Sequence, residues 1–168
     1  MVEVIAIAAF AGLLIYAACS DIASLTIPNW VSIALTALFL IAAPLAGVPL
    51  RDIGLHFLLG FGVLTLGFFL FQANIFGGGD AKLIAAVSVW TGFSALMPFL
   101  FWTVMVGGTL ALTLLVARQV MPQAANYPPI VNHLLKKQNG IPYGVAIMAG
   151  GLMAIPHLSI LTSPLTLP

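Results

Sequence analysis

Two aspartates stand out in a chain where charge is scarce: Asp21, and Asp80 within Phe76-Gly77-Gly78-Gly79-Asp80-Ala81-Lys82-Leu83. Only 5% of the 168 residues are charged, so each carboxylate calls for a reason to be where it is. Two carboxyl groups brought together in a low-dielectric site cannot easily both ionise, and they share a proton. One then takes a proton from water while the other donates a hydrogen bond to a scissile carbonyl, the chemistry of an aspartyl protease. Glycines beside such a group let backbone approach closely at membrane depth and tolerate unusual dihedrals, as an extended peptide substrate requires. On this reading Asp21 and Asp80 are the catalytic pair, and Gly77, Gly78 and Gly79 admit substrate.

Each aspartate alone also has a plainer reading. Asp80 fits a helix N-cap, its charge complementing the helix dipole, with the glycines as a turn. Asp21 falls near a helix C-terminus, where a negative charge opposes the dipole, and it reads otherwise as a solvated or turn-capping loop residue. As a pair at the ends of membrane spans they are functional candidates.

The elements that carry them follow from composition. Hydrophobic residues make up 62% of the chain and mean hydropathy is +1.18, leaving too little polar surface to clothe a soluble globule. The expected fold is an all-α membrane protein, a bundle of about six transmembrane helices in one domain over residues 1–168. The spans fall near 4–20, 30–46, 53–72, 81–95, 97–117 and 141–155. Residues 81–116 are apolar for about 54 Å as one helix, too long for a single crossing, which predicts a break between Gly92 and Pro98. Pro28 suits the first turn of the second helix, and Trp30 the membrane interface.

Cys19 is the one cysteine, which excludes an intrachain disulfide and a cysteine-based zinc cluster. No metal or organic cofactor is called for. Glu3 stands where a secretory signal has basic residues, so the first span is read as retained. No basic patch is dense enough for nucleic acid. With six spans, Asp21, the glycine motif with Lys82, and Arg118, Lys136 and Lys137 share one side, and Arg51 alone takes the other. The positive-inside rule puts the first group in the cytoplasm.

Taken together these residues resemble the type IV prepilin peptidases, in particular the short kind associated with Flp/Tad pili. The likeness rests on Ser20-Asp21 followed by Ile27-Pro28-Asn29, on the GxGD motif Gly77-Gly78-Gly79-Asp80 with Ala81-Lys82-Leu83, and on Ile141-Pro142-Tyr143-Gly144 opening the sixth span. The resemblance implies that Asp21 and Asp80 correspond to the family's catalytic aspartates. It implies cleavage of a prepilin leader after a glycine, just before the pilin's hydrophobic helix, at the cytoplasmic face of a bacterial inner membrane. Longer members carry a cysteine-paired segment and methylate the new N-terminus; this chain lacks that segment. Lys82 is an orientation-setting cation or a substrate contact, and Pro142 and Tyr143 start a helix or help bind substrate. His56 and Asp52 read as interfacial residues on the far side. The alternative function is a small transporter or proton conductor using the same carboxylates.

Overall fold

A computed structural model describes residues 1–121, 127–136 and 140–162. The described chain is helical: α1 (Val2–Ser24), α2 (Asn29–Leu45), α3 (Leu50–Gln72), α4 (Gly78–Val120), α5 (Pro129–Leu135), α6 (Gly144–Ala154), a 3-10 turn at Ile155–His157, and α7 (Ser159–Thr162). Lys137 lies outside the described residues, as do 122–126, 138–139 and 163–168. Four stretches are long and apolar enough to cross a membrane, namely α1, α3, α4 and Gly144–Leu161, and α2 is a shorter apolar helix.

Chain punctuation sets the helix ends. Leu25 closes α1 in the left-handed region (φ 53°), and its N–H donates to the Asp21 carbonyl. Pro28, extended at ψ 135°, launches α2. Gly47, at φ 78°, turns the chain from α2 into α3.

The 43 residues of α4 are two arms rather than one rod, because Gly92 has non-helical dihedrals (φ 55°, ψ −166°). Packing shows that the chain reverses there. Phe76, just before α4, stacks on Tyr143 at 6.2 Å, and Gly107, well beyond the break, lies against the same ring. Two crossings therefore arise from α4, at the near end of the range expected for the break. With α1, α2, α3 and Gly144–Leu161 they make six apolar segments.

Lipid is as apolar as leucine, so burial does not drive these helices together; close packing and hydrogen bonds do. Gly60 and Gly67 press α3 onto Val89 and Ala81 of α4. Gly150 and Gly151 seat α6 between the second arm of α4, at Thr103, and Leu14 of α1. Fully buried Trp90 binds three helices at once. Its ring packs on Phe10 (4.6 Å) and Phe39 (5.6 Å), and its Nε1–H donates to the Leu35 carbonyl at 2.9 Å. Hydroxyls of α2, α3 and α4, buried and exposed alike, turn back on their own helices: those of Thr36, Thr65, Ser88, Thr103, Thr109 and Thr113 each donate to the carbonyl four residues earlier.

His56 lies at the end of the bundle away from Asp21 and Asp80, as expected, but it is buried in the protein rather than facing outward. It is buried beneath the Gly92 reversal, stacked on Phe39 (5.0 Å, 19°), with Nδ1–H donating to the Val89 carbonyl at 2.7 Å. A helix break leaves carbonyls short of helical donors, and one buried in the protein has no water to turn to. His56 makes good that loss. A side chain at Gly92 meets both obstacles, since a Cβ there runs into the His56 ring and the dihedrals suit glycine alone. Gly92→Ala is expected to cost about 1–3 kcal/mol from backbone strain before any clash, seen as a thermal midpoint several degrees lower in detergent.

Candidate active site

Asp21 lies in the last turn of α1 and is buried, at 5% exposure. Although it sits at the unfavourable end of its own helix, its carboxylate faces the favourable end of another. The Gly144 N–H, first in α6, donates to Asp21 Oδ2 at 2.7 Å. Free N–H groups at a helix start attract an anion, so α6 supplies the complement that α1 withholds. Gly144 tolerates no side chain here: a Cβ would lie 2.9 Å from the Asp21 Cβ and 3.0 Å from Oδ2.

Asp80 lies in the first turn of α4, half-buried. It is not the N-cap; Gly77 is, with no side-chain hydrogen bond. The Asp80 carboxylate folds back over Gly77, whose missing Cβ would sit 2.6 Å from Oδ2. Gly79 lets Ile27, in the segment after Asp21, approach to 3.3 Å from where its Cβ would stand. The three glycines all have ordinary negative φ; among the described residues the positive-φ glycines are Gly47 and Gly92. Their use is close approach, not unusual dihedrals. By drawing the Ile27 segment against the start of α4 they bring the ends of α1 and α4 to one place.

That place is a cleft of about 620 Å³ with both carboxyl groups in its lining. The two lie within electrostatic reach of each other. Gly77, Gly78, Gly79 and Tyr143 line the same cleft, together with Asn29, Phe76, Gly140 and Ile141. Arg118 braces one edge: its Nε donates to the Leu134 carbonyl and its Nη2 to Gly140, each at 2.9 Å. Pro142 is buried behind this lining rather than in it. Lys82 is also outside the cleft; its Nζ donates to Asn29 Oδ1 at 2.9 Å, on the side of an adjoining apolar trough.

The family model of the type IV leader peptidase family matches residues 8–112, a stretch that contains both aspartates. The chain belongs to that family. Neither the comparison with curated proteins nor that with solved structures gives a match. Membership supports a peptidase, and the apolar helices support the multi-pass membrane protein that the composition led us to expect. The matched stretch ends before Tyr143 and Gly144, which geometry brings to the cleft with the two aspartates. Sequence reading quoted Gly144 and Asn29 within motifs without giving either a place at the site. The signal for both was present, since each is the last residue of a motif already noted, Pro-Tyr-Gly and Ile-Pro-Asn.

Proposed function

We propose that residues 1–168 work as one aspartyl endopeptidase domain that removes the leader of Flp-type prepilins, with Asp21 and Asp80 as its dyad. The observation that carries this reading is the meeting of two carboxyl groups, from the end of α1 and the start of α4, in one cleft at the end of a membrane bundle. Water held between them loses a proton to one carboxylate as it attacks the scissile carbonyl. The other carboxyl, carrying the shared proton, donates to the carbonyl oxygen. Collapse of the tetrahedral intermediate breaks the C–N bond, and the proton taken from water passes to the leaving amine. The Gly144 amide fixes Oδ2 of Asp21 and leaves Oδ1 to face the water. Tyr143 and Phe76 offer aromatic walls to an extended peptide.

Charge distribution supports a cytoplasmic cleft in a bacterial inner membrane. Lys82, Arg118 and Lys136 belong to the cleft end of the bundle, and Arg51, just after the Gly47 turn, to the other. The direct test is co-expression with a Flp-type prepilin whose polar leader ends in glycine before a hydrophobic helix. The expected result is a leader-sized mobility shift with a new N-terminus directly after that glycine. An intact precursor in the presence of inserted protein would overturn the reading.

A further inference from the structure

Beside the dyad cleft runs a second depression, an apolar trough of about 710 Å³ walled by α2, α3 and the first arm of α4. Each helix turns a single face to it, at three- and four-residue spacings within residues 29–40, 57–64 and 82–89. Eleven residues of rise along α2 make it about 16 Å long, room for about three turns of a further helix. Apolar surface facing lipid is ordinary in such a protein; three features set this surface apart. It is concave. It adjoins the dyad cleft, with Asn29 in the lining of both. It also contains a polar group with nothing to bond.

That group is Ser32, nine-tenths buried and in the trough lining. Eight other hydroxyls of these helices are spent on a carbonyl three or four residues back, whereas the Ser32 hydroxyl has no hydrogen-bond partner among the described residues. An unsatisfied hydroxyl in a membrane interior is costly. A lipid acyl chain offers it no acceptor, while a peptide helix brings carbonyl oxygens and small polar side chains. At the head of the trough Asn29 Oδ1, already bonded to Lys82, keeps a second lone pair. The first N–H groups of any helix lack partners, and an acceptor at that level suits a helix that begins there.

We infer that the trough between α2, α3 and α4 seats the hydrophobic helix of the substrate, so that the peptide bond preceding that helix reaches the dyad past Asn29. The inference rests on the proposed endopeptidase reading and adds the surface that holds the uncut precursor. Recognition is then mostly of a helix in the bilayer, with the leader contributing the extended segment across the cleft.

Two substrates separate the ideas: a precursor with a polar leader, a glycine and a 20-residue apolar helix, and a peptide of the same junction that ends before the helix. Ala37 lines the trough with an exposed side chain, and Ala37→Trp fills it. The ratio of precursor to short-peptide cleavage is expected to fall at least tenfold in Ala37→Trp. It should hold in Gly62→Trp, on another face of α3, where a side chain meets open space. As a measurement independent of turnover, Cys19→Ser removes the one native thiol, and Asp80→Asn retains uncut precursor. In that background Ala37→Cys should crosslink to single cysteines in the first three turns of the precursor helix, and Gly62→Cys should not. An unaltered ratio, or crosslinks from Gly62→Cys or from neither position, overturns the trough while leaving the peptidase reading intact. Failure of the wild type to cut either substrate removes both.

Discussion

Asp21→Asn and Asp80→Asn are each expected to lower prepilin cleavage by about a thousandfold or more, with the protein still inserted and folded. The substitution keeps shape and removes the chemistry. In Asp21→Asn the side-chain oxygen still accepts from the Gly144 N–H, so the joint between α1 and α6 survives. In Asp80→Asn the amide still fits over Gly77, where no Cβ competes for the space. What each variant loses is a group that can take up and return a proton. Because the two act as one unit, the double variant should be hardly worse than either single one. Cleavage rates on purified protein, alongside a thermal midpoint in detergent, check both halves of this expectation. Activity within tenfold of wild type in either variant would remove that aspartate from the dyad.

Gly144→Ala is the second large effect expected, and it needs no change in any acidic group. The added methyl would stand 2.9 Å from the Asp21 Cβ, inside van der Waals contact, so the last turn of α1 and the first of α6 must part. A displacement approaching 1 Å at a reacting group costs about a hundredfold, and Gly144→Val should cost more. The paired control is Gly108→Ala on the second arm of α4, where a Cβ meets nothing within 4 Å. It should stay within about twofold of wild type, since an exposed helical glycine gains only helix propensity by the change. Equal activity in Gly144→Ala and Gly108→Ala would mean that Asp21 is held by something other than the α6 amide.

The parts legible in the sequence were those signalled by composition against a uniform background. Asp21 and Asp80 could be read because a carboxylate in an apolar run is rare and costly. The hairpin of α4 could be read because its apolar stretch exceeds one bilayer crossing and contains a glycine. What escaped depended on partners far along the chain. Gly144 lies 123 positions from the carboxylate it serves, and no local pattern announces such a pairing. His56 could be placed on the far side, away from the aspartates, but its partner there is a backbone carbonyl, which no residue type reveals. The glycines before Asp80 were read as special for two properties, close approach and unusual dihedrals, and the structure uses only the first. Glycine signals both free dihedrals and absent side chains, and only coordinates tell which is used.

The bond between Asp21 and Gly144 joins the first membrane helix to the last large one, and it bears on when the enzyme can work. A chain made from its N-terminus has both aspartates in the bilayer long before residue 144 leaves the ribosome. Until α6 arrives, Asp21 has neither the amide that orients it nor the Tyr143 wall beside it. On the proposed dyad, cleavage waits until α6 is made, and a chain stalled before residue 144 is expected to carry the acidic pair without cutting.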